Sequence, residues 1–259
     1  MTPVPDLPLF DAHVHVIDPR FPLVPNRGFL PDPFTAADYR RSMAHHDVRG
    51  GAVVSGSFQA DDQTYLRAAL AELGDGWVGV TQLPAGADAV MIRDLHAAGV
   101  RALRFNLVRG PFTDLDTLVD QAVLAHDLVG WHAEIYVESS VLPQLAPVLD
   151  RLPAFGIDHL GMTADGLDAL LGRVARGAKV KVSGFGRLAF DRPGAGIVEA
   201  MRRIHATDPT ALVFGSDLPG TRAPRSFRDA DLLAIAEAVG DDLPRVLSDN
   251  GRAWYGLPA

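Results

Sequence analysis

A (β/α)8 barrel is the fold this sequence predicts, on three observations. Short runs rich in β-branched and aromatic residues alternate with longer Ala/Leu/Arg-rich amphipathic stretches. Eight such runs can be placed along the chain, near the ~30-residue spacing of a strand–helix–strand unit. The length of 259 residues matches the ~250 typical of one such barrel. An open doubly wound sheet is the competing arrangement, and eight strands filling this length favour the closed one.

The first strand is expected at Leu9–Ile17. The second and third follow at Gly51–Ser55 and Trp77–Gln82, with a helix over Asp61–Leu73 between them. A helix over Ala87–Ala98 leads to the fourth strand, Val100–Leu107, and one over Asp114–His126 leads to the fifth, Trp131–Val137. A helix at Leu142–Leu152 precedes the sixth, Ile157–Leu160. The seventh and eighth are Ala178–Ser183 and Ala211–Gly215, and helices over Asp229–Ala238 and Leu243–Trp254 close the chain. No repeat, low-complexity tract or linker divides the sequence, so a single domain over residues 1–259 is expected.

Composition narrows the function. The chain is 47% hydrophobic and 22% charged, with no cysteine. That excludes a disulfide framework, thiolate zinc sites and a thiol nucleophile. No apolar stretch approaches the ~20 residues of a membrane span. Residues 1–9 carry prolines and no basic residue, unlike a secretory signal. A cytoplasmic chain with no membrane partner is expected. The net charge of −8, from 32 acidic against 24 basic side chains, argues against nucleic acid as a partner. Only Lys179 and Lys181 are lysines, so lysine chemistry has two candidates at most.

Active sites of such barrels lie at the C-terminal ends of the strands. Three places there carry polar residues. In Phe10-Asp11-Ala12-His13-Val14-His15, strand alternation puts Asp11, His13 and His15 on one face and Ala12, Val14 and Val16 on the other. Two imidazoles at i and i+2 can bind one metal ion or donate together to one oxygen, or they can be satisfied core histidines. Asp217 follows the apolar run of the last strand, where it can serve as general base, metal ligand or turn cap. His159, placed inside the sixth strand, would complete a three-His, one-Asp cluster.

Five segments occur in order: Asp11-Ala12-His13-Val14-His15, Arg101-Ala102-Leu103-Arg104-Phe105-Asn106, Gly130-Trp131-His132, Asp158-His159-Leu160-Gly161 and Gly215-Ser216-Asp217-Leu218-Pro219. Together they resemble the amidohydrolase superfamily in its amidohydrolase-2 branch, with closest similarity to the 2-pyrone-4,6-dicarboxylate lactonase group, from about Phe10 to Tyr255. The resemblance implies a (β/α)8 barrel that hydrolyses a carboxylate-bearing lactone, a small-molecule partner. Asp217 would deprotonate the attacking water, while His13, His15 and His159 would polarise the carbonyl and stabilise the oxyanion. Arg104, Arg109 and Arg187 would hold substrate carboxylates, for which a planar guanidinium is suited. Tyr136, Ser55 and Phe29 match pocket positions. No metal is required in that group, although many superfamily members bind one or two. The alternative is one divalent ion, Zn or Mn, on His13, His15, His159 and Asp217. A binuclear site is not expected, because strand four offers neither Lys nor Glu. His132 faces inward but early in its strand, which suits a buried structural histidine.

Two departures bear on substrate. Met162 stands where relatives carry Arg or Lys after Asp-His-x-Gly, and Gly220 stands where they carry His. A lost charge-assisted hydrogen bond, about 1.5–3 kcal/mol, costs roughly tenfold or more in affinity. A monocarboxylate or differently substituted lactone is the expected substrate. The competing functions are a metal-dependent decarboxylase of aromatic acids and a catalytically silent carboxylate-binding barrel. Elsewhere, His45 and His46 suit a solvated face, His96, His126 and His205 lie on helices, and Thr221–Arg228 either covers the site or is a plain surface loop. Nothing in the pattern selects an oligomeric state.

Overall fold

The computed structural model describes residues 7–108, 114–190 and 196–258. Eight parallel strands follow one another around the sheet in chain order: β1 Leu9–Val14, β2 Val48–Val54, β3 Trp77–Thr81, β4 Val100–Asn106, β5 His132–Tyr136, β6 Phe155–Ile157, β7 Lys179–Val182 and β8 Leu212–Phe214. The seam between first and last is closed at the end of β1 and just past β8. Asp217 N–H donates to His13 O at 2.7 Å, His15 N–H donates to Leu218 O at 2.8 Å, and Val14 bridges Leu218 in parallel. This is the (β/α)8 barrel that the alternating pattern predicts.

Helices pack outside: α1 Ala36–Ser42, α2 Thr64–Leu73, α3 Ala89–Ala97, α4 Leu115–Val129, α5 Leu142–Leu149, α6 Leu167–Val174, α7 Gly196–Thr207, α8 Asp229–Val239 and α9 Asn250–Trp254. Local chemistry sets their starts. Thr35 caps α1 in a reciprocal pair with Asp38, and the carboxylates of Asp88 and Asp114 accept from the first free N–H groups of α3 and α4. The expected last helix, Leu243–Trp254, is helical throughout, with a π-turn at Arg245–Asp249 running into α9. Helices α1, α6 and α7 add to those expected.

Apolar side chains divide by strand alternation. Leu103, Phe105, Ile135, Val180 and Phe214 join the core between strands and helices, while Ala52, Val54, Val78, Val80, Ala102 and Val213 fill the barrel with Phe10 and Tyr255. The C-terminal residues plug the lower end: Trp254 stacks on His132 with ring centroids 3.9 Å apart. His132 is thus packed in the floor, as its early place in the strand predicts. No helix among the described residues is long and apolar enough to cross a membrane.

Two expectations need correction. The sixth strand ends at Ile157, so His159 lies beyond it, on a tight turn over His159–Gly161. Asp11 does not share a face with His13 and His15. The β1–β2 register shifts between Asp11 and Val14, three residues on one strand against two on the other. Such a bulge re-aims side chains. Asp11 turns to Tyr39 of α1, and Ala12 joins Phe10 in the barrel interior.

Candidate active site

The bulge and the seam build the site. Asp11 Oδ1 accepts from the N–H of His13 (3.2 Å) and of Ser216 (2.8 Å), and Oδ2 accepts from Ser216 Oγ (2.6 Å) and Tyr39 OH (2.9 Å). One buried carboxylate therefore ties the His13 backbone to the residue before Asp217. The approach is close enough to require glycine at 215, where a Cβ would stand 2.7 Å from His13 Cβ. Asp217 and His159 both sit in the left-handed region, at φ 58° and 52°. Strain of that kind, about 1–3 kcal/mol each, is held where surrounding structure over-determines it.

His13, His15, His159 and Asp217 are all buried at the mouth. Asp217 Oδ1 lies 3.5 Å from His15 Nε2 and 3.8 Å from His13 Nε2. The His13 ring centroid is 4.7 Å from that of His159 and 5.1 Å from that of His15. His15 Nδ1 is fixed by Val54 O at 2.7 Å, and His159 Nδ1 by Ser183 Oγ at 2.8 Å. What stays unpaired is the signature. Among the described residues, eight of the nine buried side-chain polar atoms lacking a hydrogen-bond partner gather here: His13 Nε2, His159 Nε2, Asp217 Oδ1, Tyr136 OH, both Asp158 oxygens and the Nε of Arg104 and Arg187. Native proteins leave few such atoms, so a cluster of them marks where another molecule is to be met.

Burial sets the protonation states. It lowers His13 well below the usual imidazole value despite Asp158, and lowers His159 to about 4 despite Asp217. Burial alone would raise Asp217, but Arg187, with Nη2 only 2.7 Å from Oδ2, holds it well below the carboxylate range. Asp158 is likewise lowered: burial opposes ionisation, and the surrounding charges, those of Lys181 and Arg104 among them, outweigh it. His13 and His159 thus present neutral imidazoles beside an ionised Asp217 carboxylate.

The other expected site residues fall into four groups. Arg104, Tyr136 and Arg187 reach the mouth and line a cavity of about 20 Å³ with His15, beside a larger one of about 510 Å³ that shares Arg104. Arg104 donates to Ser55 O (2.7 Å) and faces Asp158 Oδ2 (3.4 Å), its guanidinium 5.6 Å from the Tyr136 ring centroid. Arg187 spends Nη2 on Asp217 and on Thr221 O (2.8 Å). Ser55 supplies its carbonyl to Arg104, while its hydroxyl pairs with Tyr65 OH at 2.6 Å. Phe29 stands apart, half-buried under Arg222 at 4.1 Å. Arg109 lies outside the described residues. Thr221 and Arg222 of the last loop do lie over the mouth, in the small cavity's wall.

Three buried residues went unassigned in the sequence: Asp158, Lys181 and Glu134. Lys181 Nζ contacts Glu134 Oε2 at 2.5 Å, and Glu134 also accepts from Tyr255 OH. Signals for them existed. Asp158 adjoins His159, Glu134 shares a face with Tyr136, and Lys181 is a charge flanked by Val180 and Val182.

By distance, His13, His15 and Asp217 could hold a divalent ion, since their ligand atoms lie within 4.8 Å of one another. By charge they do not suit one. Arg187 already neutralises Asp217, and the Lys181 ammonium stands 3.4 Å from His13 Nδ1. No step is derived through a metal.

Polar groups gathered at the C-terminal end of a parallel barrel define a (β/α)8-barrel enzyme site. The amidohydrolase family model matches residues 10–257, and the chain belongs to that family of hydrolases. The 2-pyrone-4,6-dicarboxylate hydrolase of Comamonas testosteroni is 29% identical, over 86% of this chain and 80% of its own. An apo structure from Agrobacterium tumefaciens is similar with TM-score 0.84 at 24% identity, over 99% of both chains. A structure described as a probable 2-pyrone-4,6-dicarboxylic acid hydrolase of Acinetobacter baumannii, with citric acid bound, gives 0.82 at 20% identity, over 98% of this chain and 100% of that one. At those identities the two structures speak to the fold.

Proposed function

We propose that this hydrolase opens a carboxylate-bearing lactone. The observation that carries the reading is the set of unpaired His13 Nε2, His159 Nε2 and Asp217 Oδ1 at the barrel mouth, with Arg187 paired to Asp217 and Arg104 nearby. Asp217, ionised, takes a proton from water as the water oxygen adds to the ring carbonyl carbon. The imidazoles stabilise the oxyanion that forms, in a site where water is scarce and hydrogen bonds count for more. Collapse of the tetrahedral intermediate breaks the ring C–O bond, and the Asp217 proton passes to the leaving oxygen. Similarity to the Comamonas testosteroni enzyme supports a lactone of the pyrone carboxylate type.

Arg104 turns both Nη groups to the protein, Nη1 to Ser55 O and Nη2 toward Asp158, whereas Arg187 commits only Nη2, to Asp217 and Thr221 O. A monocarboxylate lactone is favoured by Met162 and Gly220, which stand where a further cation and imidazole would be needed for a second carboxylate. The test is ring opening, followed by ultraviolet absorbance, across mono- and dicarboxylated pyrones and saturated lactones. Turnover of a carboxylated lactone, lost in Asp217→Asn, is expected. Silence across the panel, or full activity in that variant, overturns the reading.

A further inference from the structure

Lys181 lies beneath the reacting groups and takes no part in the steps above. It is fully buried, and an ammonium carries three protons and no lone pair. Three acceptors surround it: Glu134 Oε2 at 2.5 Å, His13 Nδ1 at 3.4 Å and Asp158 Oδ1 at 3.8 Å. The geometry points to Lys181 as a positioning residue that holds His13 with its proton on Nε2, making His13 a hydrogen-bond donor to the oxyanion and leaving His15 as an acceptor for the attacking water.

Two groups compete for His13 Nδ1. Asp158 Oδ1, at 3.5 Å, would favour a proton there; Lys181 requires a lone pair. Asp158 has cations at ion-pair range instead, Lys181 Nζ 3.8 Å from Oδ1 and Arg104 Nη2 3.4 Å from Oδ2. The ammonium has none to spare. The far side agrees: Nε2 faces Asp217 Oδ1 at 3.8 Å, and a carboxylate oxygen only accepts. A proton on Nδ1 would leave Lys181 short of an acceptor and turn a lone pair toward that carboxylate. Burial keeps the ring neutral, so one tautomer must be chosen.

His15 meets the opposite surroundings. Its Nδ1 lies 2.7 Å from the Val54 carbonyl, which accepts only, so the proton sits on Nδ1. A neutral ring in this place turns its Nε2 lone pair toward Asp217 Oδ1 at 3.5 Å. Two acceptors facing each other call for a donor between them, and the O–H groups of water fit that demand. The His-x-His pair is thereby divided into one donor and one acceptor. The same division obstructs a divalent ion, which would need both Nε2 lone pairs.

The use of the donor rests on the hydrolase reading; the tautomers do not. Protein labelled with 15N-imidazole histidine is read by long-range 1H–15N correlation at neutral pH, with His13 and His15 assigned by His13→Asn and His15→Asn. The wild type should show His13 protonated on Nε2 and His15 on Nδ1. The same tautomer at both, or a His13 imidazolium, overturns the proposal whatever the activity. In Lys181→Met the His13 proton should move to Nδ1, zinc affinity measured by calorimetry should rise at least about tenfold, and kcat should fall about 10²-fold with KM little changed. An unchanged His13 tautomer in that variant also overturns it. If Lys181→Met does not fold, the paired Lys181→Met/Glu134→Gln replaces it, and the wild-type spectrum decides independently.

Discussion

His13, His15 and Asp217 bring their ligand atoms within 4.8 Å of one another, and so do His45, His46 and Asp229 on the outside of the barrel. Both groups consist of two imidazoles and a carboxylate. In the outer group each Nε2 lies 3.1 Å from the same Asp229 oxygen, and His45 and Asp229 are half-exposed. Its polar atoms are satisfied by one another and by solvent. In the inner group the corresponding contacts are 3.5 and 3.8 Å, burial is nearly complete, and His13 Nε2 and Asp217 Oδ1 have no partner. Proximity of donors therefore does not separate the two. Unmet hydrogen-bonding demand inside a buried, braced cluster does, because that demand is paid for only where a substrate arrives.

The comparison breaks most sharply on matched substitutions. Asn keeps the size of Asp and tolerates the left-handed backbone of residue 217. Asp217→Asn should cost kcat/KM about 10³-fold, the middle of the range for a general base. A circular dichroism melt run alongside separates lost chemistry from lost fold. An unaltered rate would put the inner carboxylate on the same footing as Asp229.

Acid stability sharpens it next. The unfolded chain protonates His159 near its ordinary 6.5, whereas the folded protein does so only near about 4. The unfolded state thus takes up the proton first, and stability falls as pH drops between those values. The loss from this one ring is about 3 kcal/mol, readable as a declining denaturant midpoint. His159→Gln should flatten that segment of the curve; an unchanged slope would show that the ring is not held neutral.

Arg187→Met follows, with kcat/KM down about tenfold to a hundredfold. Burial then acts on Asp217 without its main opponent, so its pKa rises. A base protonated at higher pH moves the acid limb of the kcat/KM profile upward relative to wild type. A rate loss with an unshifted limb would mean that Arg187 serves substrate alone.

Much of this arrangement is legible in the sequence. Strand count and order followed from periodicity, and His13, His15 and Asp217 from their places at the ends of strands one and eight. Other features depend on three-dimensional context that periodicity does not carry. Alternation assigned Asp11 to the wrong face because a bulge, invisible in the residue pattern, shifts β1 between Asp11 and Val14. The apolar Ile157 and Leu160 read as one continuous strand through His159, yet backbone at φ 52° and 51° turns the chain at His159 and Leu160. Lys181 escaped because its importance comes from Glu134, His13 and Asp158, which three other strands and turns deliver to it.

The smallest effect belongs to the outer group. Asp229→Asn removes one carboxylate from two imidazoles at the start of α8 and leaves the mouth untouched. Asp229 is lowered chiefly by its hydrogen bond from His45, so its contribution is present above the ordinary carboxylate pKa and fades as pH falls through the lowered one. Exposure discounts that contribution to well under about 1 kcal/mol, as for most surface ion pairs. The expected result is a melting temperature within a degree or two of wild type at neutral pH, on the order of a few tenths of a kcal/mol, and an unchanged kcat/KM. A large activity loss would join the α8 start to the catalytic mouth through the loop at Thr221–Arg228, and the contrast between satisfied and unsatisfied clusters would no longer identify the site.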